Sequence, residues 1–439
     1  MTGPVRILVV DDSVVIRKLL STTLGEIAGL EVVATAALGK IALARIPQCN
    51  PDIVILDVEM PEMDGIETLK QIRKLAPRLP VIMFSTRTER GAVATIEALT
   101  SGASDYVAKP SNTGSVVAAM ARVREEMVPK IFALTTGRSA PISAPPPASG
   151  GHASSPALPV PAHMLPTTQL PTFAPTTRFA TTSSLPSFAH VPVAAPATTS
   201  QIGLRTLPIP TANRGARVTA NPLVVAEGPI RLYRASGPRP AIEIVAIGAS
   251  TGGPNALSVM LGQLPADFPV PIVIVQHMLA SFTRHFADRL AQQCRLKIVE
   301  AAAGDVLAPG CAYIARGDHH LIVERHAGRA GLAMNQDVPE NFCRPAADVL
   351  FRSVARSHGA GALAVVLTGM GHDGLSGCGA IRDAGGDVIV QDEASSVVWG
   401  MPGFIARAGL ASQVIAIDQL AGELRRRVAH GAKAMEVAP

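Results

Sequence analysis

Nineteen of the chain's 36 prolines fall between Pro141 and Pro240, and this clustering divides the 439 residues before any strand or helix is assigned. Residues 137–240 are rich in Ala, Ser and Thr, hold eight arginines and one acid, Glu227, and contain no Asp or Lys. Such a composition cannot bury enough apolar surface to offset its ordering entropy, so a long disordered linker is expected over 137–240. As a coil it would span roughly 50–60 Å, and more with proline stiffening. The flanking segments 1–136 and 241–432 are each within the ~100–200 residues of an ordinary domain, and 433–439 is left as a tail. The formal charge of +5 resides in the middle segment, because 1–136 is neutral and 241–439 sums to −2. Neither flank therefore reads as a DNA binder, and 3% aromatics makes a base-stacking platform for single strands improbable.

No apolar run approaches the ~20 residues a bilayer span requires. Asp11 and Asp12 follow the first apolar run, where a signal peptide would need a cleavage site. Cys49, Cys294, Cys311, Cys343 and Cys378 are scattered with no C-x-x-C pair, which fits reduced thiols in a cytoplasm rather than a disulfide framework or zinc site.

Both flanks alternate short apolar strands with helical patterns. In the first, strands are expected at Arg6–Val10, Val32–Thr35, Ile53–Leu56, Val81–Phe84 and Tyr106–Ala108, with helices such as Val14–Ala28 and Gly65–Leu75. In the second, Ile242–Ile247, Ile272–Val275, Leu363–Leu367 and Asp387–Val390 read as buried parallel strands with helices between them. The expectation is an α/β chain with two doubly wound parallel-sheet domains. Chemistry in such sheets gathers at the carboxyl ends of the strands.

At those ends in the first flank stand Asp11 and Asp12, Asp57, Ser85 and Lys109. Three carboxylates together repel unless a hard cation such as Mg²⁺ takes their oxygens. One carboxylate can then attack a phosphoryl group while a lysine and a hydroxyl hold the transferred oxygens. The runs Val9-Val10-Asp11-Asp12-Ser13, Leu56-Asp57-Val58-Glu59-Met60-Pro61 with Asp64-Gly65, and Ala108-Lys109-Pro110 closely resemble the receiver domains of bacterial two-component response regulators over roughly 1–125. The resemblance implies a flavodoxin-like fold, Asp57 as phosphoacceptor, Mg²⁺ on Asp11, Asp12 and Asp57, and Ser85 and Lys109 as readers of the phosphoryl group. It also puts Tyr106 at the family's aromatic switch position.

In the second flank Gly248-Ala249-Ser250-Thr251-Gly252 fits G-x-S-x-G between a strand and the helical pattern Asn255–Leu264. Two other strands end in Gln276-His277-Met278 and in Thr368-Gly369-Met370-Gly371-His372-Asp373-Gly374. A nucleophile, an imidazole and a carboxylate at three carboxyl ends can converge: His277 takes the Ser250 proton and Asp373 orients the imidazolium. The chain order Ser–His–Asp is not that of an ordinary α/β-hydrolase. Histidines 285, 319, 320, 326, 358 and 372 compete for the base role, and His372 adjoins Asp373. A rival reading is dinucleotide binding, since Gly369, Gly371 and Gly374 match G-x-G-x-x-G with Asp392 about 20 residues on. Against it, Asp373 would put a carboxylate where a pyrophosphate needs amides.

Together with Arg344-Pro345-Ala346-Ala347-Asp348-Val349-Leu350-Phe351, Ala312-Tyr313-Ile314-Ala315, Asp392-Glu393-Ala394-Ser395 and Gly400-Met401-Pro402, these runs resemble the catalytic domain of the chemotaxis protein-glutamate methylesterase (CheB) family over about 242–425. The resemblance implies a Rossmann-like, phosphorylation-regulated serine hydrolase without a cofactor of its own. It would demethylate glutamate methyl esters, and deamidate specific glutamines, on methyl-accepting chemotaxis receptors, with a CheA histidine kinase as phosphodonor, in the cytoplasm. The implied triad is Ser250, His277 and Asp373, with the Met370 amide as oxyanion donor. Departures are His372 where the family commonly has asparagine, Asn341-Phe342-Cys343-Arg344 in place of a more basic stretch, Leu279-Ala280-Ser281 in place of a Pro-Pro-Gly turn, and the longer linker. They leave open a paralogue serving a non-chemotaxis receptor, or a regulator whose second domain binds a partner without catalysis. In this family the unphosphorylated receiver partly covers the active site; a long tether is expected to weaken that cover unless the docking surface compensates.

Overall fold

The computed structural model describes residues 3–86, 88–110, 115–135, 228–233, 240–326 and 328–436. Nearly all of the proline-rich segment expected as a linker lies outside the described residues.

The first sheet contains β1 (Val5–Val10), β2 (Leu30–Ala36), β3 (Ile53–Asp57), β4 (Val81–Ser85) and β5 (Asp105–Ala108), in the order β2-β1-β3-β4-β5 with every pairing parallel. Helices α1 (Val14–Gly25), α2 (Gly39–Cys49), α3 (Gly65–Leu75), α4 (Glu89–Thr100) and α5 (Val116–Thr135) alternate with the strands. β3 and β4 are buried along their whole length, as strands covered by helices on both faces must be. Side-chain caps fix three of the helix starts: Ser13 Oγ accepts from Ile16 N, Asp64 Oδ1 from Glu67 N and Thr88 Oγ1 from Gly91 N.

The second sheet has seven strands in the order β14-β13-β12-β6-β7-β9-β8, all parallel. They are β6 (Ile244–Ala249), β7 (Ile272–Gln276), β8 (Lys297–Glu300), β9 (Cys311–Ile314), β12 (Ala362–Val366), β13 (Asp387–Gln391) and β14 (Gln413–Ile415). An antiparallel hairpin, β10 (His320–His326) with β11 (Arg329–Asn335), stands apart from this sheet. The helices are α6 (Gly253–Leu261), α7 (Ala280–Gln293), α8 (Ala347–His358), α9 (Leu375–Asp383), α10 (Met401–Arg407) and α11 (Ile417–Glu436).

The four strands expected in this half, with helices between them, are too few, and the structure corrects the pattern between β7 and β12. Strands β8, β9 and β14 are only three or four residues long. Strands so short leave little room for a period-2 pattern to register. The helix expected over Val14–Ala28 stops at Gly25, and α11 continues through Glu436, past the start of the expected tail.

The chain leaves β1 toward β2 and β3 on opposite sides, and β6 has β12 on one side and β7 on the other. Each sheet thus has a switch point, at β1 in the first and at the central β6 in the second, where a crevice opens beyond the carboxyl ends. The two halves touch through α4, which packs on α6 and α7. No helix among the described residues is long and apolar enough to cross a membrane.

Candidate active site and acidic pocket

Beyond β1 and β3, Asp11 and Asp57 are buried to 1% exposure while Asp12 is exposed, and the three offer ligand oxygens all within 4.8 Å of one another. Lys109, directly after β5, reaches both buried acids, its Nζ 2.9 Å from Asp11 Oδ2 and 2.8 Å from Asp57 Oδ2. Asp57 Oδ1 accepts one amide, Glu59 N at 3.2 Å. Burial pushes the Asp57 carboxyl up, to about 6; Lys109 opposes that rise and Asp11 adds to it. One lysine is too little positive charge for three acids, so the group fits a divalent cation with oxygen ligands. Gly65 is required here, since a Cβ would fall 2.1 Å from Asp57 O.

Two expected members of this pocket face elsewhere. Ser85 Oγ donates to Gly91 O at 3.1 Å. The Tyr106 ring stacks on Phe282 at 4.7 Å between centroids, and its hydroxyl accepts from Leu279 N at 3.2 Å. Tyr106 thus belongs to the contact with the second half, two residues from His277.

Ser250 leaves β6 on a tight turn. Its N donates to Thr368 O at 3.1 Å, and its carbonyl accepts from Gly253 N at 2.7 Å and from Gln276 Nε2 at 3.0 Å. Gly369 allows the neighbouring turn to approach, since a Cβ there would lie 2.8 Å from Ser250 Cβ. Among the described residues neither the Ser250 hydroxyl nor the Met370 N–H has a hydrogen-bond partner.

His277 follows β7, and its Nε2 lies 2.7 Å from Asp373 Oδ2. Asp373 is 2% exposed and accepts four further bonds: Ala347 N at 2.6 Å, Asp348 N at 3.1 Å, Gly374 N at 2.9 Å and Asn341 Nδ2 at 2.9 Å. Two of these amides open α8, whose N-cap Ala346 has no side chain to bond them, so Asp373 caps that helix from another loop. Burial pushes Asp373 up, but His277 and the amides outweigh it and hold the carboxyl below its usual range. The other imidazole nitrogen, Nδ1, has Cys343 Sγ at 3.5 Å. Burial pulls His277 down, yet the Cys343 thiol and Asp373 together push it up to about 10.

Three of the competing histidines, His372, His320 and His358, are engaged elsewhere. His372 is exposed and packs edge-on to Phe404 at 5.9 Å. His320 is buried between Val338 O and Ala346 N, and His358 contacts Ser357 Oγ. The dinucleotide reading fails on geometry. A Cβ at Gly369 would meet Met401 Sδ at 2.4 Å, so the turn is already filled, and Asp392 bonds Ser395.

Sequence reasoning gave no site role to three contributors: Asn341, which clamps Asp373; Cys343, beside His277; and Thr251, whose Oγ1 donates to Asp105 Oδ2 of the first half at 2.5 Å. Asp105 also pairs with Lys130 at 2.8 Å, and Gly252 N donates to Ser104 O at 3.0 Å. The flanks of Ser250 and of His277 are therefore both held by β5 and its approach.

Residues 245–424 match the family model for CheB methylesterase, and residues 7–121 match that for the response regulator receiver domain. A protein-glutamate methylesterase/protein-glutamine glutaminase of Trichodesmium erythraeum is 44% identical, over 96% of this chain and 99% of that one. The chain belongs to this family. A protein of the same description from Nocardioides is 43% identical over 97% of this chain and 96% of that one. The crystal structure of the Thermotoga maritima CheB methylesterase catalytic domain shares 38% identity at a TM-score of 0.42, covering 42% of this chain and 98% of that one. The two family matches account for both sheets, a response regulator receiver ahead of a CheB methylesterase.

Proposed function

We propose that this protein is a receiver-controlled serine esterase that hydrolyses γ-glutamyl methyl esters, and deamidates chosen glutamines, on chemotaxis receptors in the cytoplasm. The observation that carries the catalytic part is the engaged Nε2 of His277. With Asp373 on that nitrogen, only Nδ1 is left to take a proton, and Ser250 stands on the neighbouring strand end with its hydroxyl unbonded. Ser250 Oγ attacks the γ-carbonyl carbon as its proton passes to His277 Nδ1. Met370 N–H receives the oxyanion. The proton then goes to the departing methoxide, methanol leaves, and water cleaves the acyl-serine by the same route. With a glutamine side chain the group that leaves is ammonia. Asp373, ionised and held by five donors, fixes the imidazole and stabilises its charged form.

In the receiver, Asp57 is the phosphoacceptor, and Asp11, Asp12 and Asp57 would hold Mg²⁺, which when bound supplies the positive charge that phosphoryl transfer needs. Lys109 then pairs with the phosphoryl oxygens in place of Asp57. A CheA-type histidine kinase is the phosphodonor. Because Lys109 directly follows β5, and β5 contacts Thr251 and Leu279, any shift of Lys109 bears on the active-site cover. The test is methanol release from methylated receptor membranes, with and without a small acyl phosphate. Ser250→Ala should lose roughly 10⁴-fold or more, and wild-type release should rise with the phosphodonor. A near-normal rate from Ser250→Ala would refute the assignment, and a domain that only binds a partner would release no methanol at all.

A further inference from the structure

We propose that Cys343 is a positioning residue for the base: its thiol holds the same His277 Nδ1 that Ser250 must reach to lose its proton. The inference rests on His277 being that base, as the proposed function has it. Asp373 occupies Nε2 at 2.7 Å, so the imidazole has one nitrogen to offer, and Cys343 Sγ already lies 3.5 Å from it. Ser250 Oγ meanwhile has no hydrogen bond among the described residues. The two side chains compete for one atom.

The thiol is held there by construction. Cys343 closes a turn with Glu340 through reciprocal backbone bonds of 2.9 and 3.1 Å. The two residues at its tip, Asn341 (φ 52°) and Phe342 (φ 62°), are left-handed, a conformation that non-glycine residues adopt only where surrounding contacts enforce it. Those contacts are present. Arg352 grips Glu340 with two bonds, of 2.7 and 2.5 Å. Asn341 Nδ2 bridges Asp373 and Asp348 at 2.9 Å each, and Arg344 binds Asp318. Every residue of the turn and its exit is pinned except Phe342, which is 99% exposed.

The charges around His277 show what the thiol does. Asp373 faces it from the loop after β12 and Cys343 from the turn; Asp348 of α8 stands behind Asn341, and the receiver's Tyr106 hydroxyl bonds Leu279 N. The carboxylate, and the Cys343 sulfur as acceptor of the Nδ1–H, favour the protonated ring, in line with the upward displacement of His277. In the resting enzyme Nδ1 thus keeps its proton, directed at Cys343 Sγ, and cannot take one from Ser250. The base becomes competent when Nδ1 loses that proton to solvent and Ser250 takes the place of Cys343 beside it.

The pH dependence of kcat/KM decides the matter, measured on the full-length chain with methylated receptor membranes and phosphodonor present. The wild-type rate should climb through an alkaline limb as His277 gives up its proton. In Cys343→Ala that limb should move down by about one pH unit, a tenfold change in proton concentration, with Cys343→Ser in between. A uniform loss at every pH with the limb unmoved, or a limb moved upward, would overturn the proposal. Cys343→Ser carries the comparison if the alanine variant fails to fold. Ser250→Ala in the same assay reports separately on the nucleophile: if it is dead and the limb is unshifted, only the role of Cys343 fails.

Discussion

Asp57 and Asp373 are both aspartates at the carboxyl end of a parallel sheet, both nearly inaccessible, and their surroundings drive them in opposite directions. Asp57 has one lysine, which it shares with Asp11, and one amide at 3.2 Å, and burial prevails, lifting it to about 6. Asp373 has three amides, an asparagine and an imidazole, and these prevail over burial, holding it down. In the roles proposed above, the group that is to gain a cation and a phosphoryl group is left short of partners, and the group that is to stay ionised and still is surrounded by them. One topology supports both because the segments beyond the two strands differ: a loop with few inward amides after β3, and the start of α8 against the loop after β12.

The largest effect should come from breaking the richly partnered site. Asp373→Asn keeps the shape but offers an amide where the imidazole N–H and the α8 amides need an acceptor, and it releases the His277 tautomer. We expect a loss of about 10⁴-fold in kcat, the size such substitutions have in serine triads, with the receiver still accepting a phosphoryl group. Methanol release and acyl-phosphate labelling of the same preparation check both halves. A loss under tenfold would mean that Asp373 serves the fold of the loop and not the base.

The poorly partnered site should show itself in stability. Asp57 keeps its proton in the folded protein up to about pH 6 and in the unfolded chain only up to about 3.8. Between those values the folded state binds more protons, so stability falls as pH rises through that window, by up to about 3 kcal/mol. Asp57→Asn should flatten that fall and also abolish the response to phosphodonor. Added Mg²⁺ should stabilise the wild type above pH 6, where the carboxylate is charged, and leave Asp57→Asn nearly unchanged. Denaturant melts at pH 4, 5, 6 and 7 give the slope; equal slopes in the two proteins would mean that Lys109 satisfies Asp57 after all.

Legibility in the sequence divides along similar lines. Asp11, Asp12, Asp57 and Lys109, like Ser250, His277 and Asp373, could be placed because a strand's end fixes where the next residue goes, and parallel strands bring such ends to one edge. Ser85 sits at that edge too, but its rotamer bonds Gly91 O, and no strand pattern encodes a rotamer. Asn341 and Cys343 lie on an irregular turn whose left-handed residues are not glycines, so the stretch stood out only as a departure from the family pattern and its contacts with Asp373 and His277 could not be read. The hairpin β10–β11 was missed although the buried Leu321 and Val323 flank the less buried Ile322, because the helices expected between parallel strands took its place. Thr251 and Asp105 meet across 146 residues of sequence, beyond the reach of any motif.

That last pair sets the smallest of the predicted effects. The long segment 137–240 argues for a weakly held cover, since effective concentration falls roughly as the −3/2 power of tether length. The contact itself argues the other way: Thr251 is 4% exposed and bonded to Asp105, Tyr106 stacks on Phe282, and Gly252 bonds Ser104 O. The hydrogen bond to a charged acceptor contributes about 1.5–3 kcal/mol when buried, but Lys130 already neutralises Asp105, which lowers that figure. Asp105→Ala should therefore raise the unphosphorylated rate only a few-fold and shrink the further gain from phosphodonor by the same factor. Initial rates with and without acyl phosphate, for wild type and variant, test it. If the variant instead reaches the phosphorylated wild-type rate unaided, this single bond is the cover's main hold and the tether is irrelevant. If its rate is unchanged, the apolar contact of Tyr106 with Phe282 holds the two halves together, and Tyr106→Ala should then give the increase that Asp105→Ala did not.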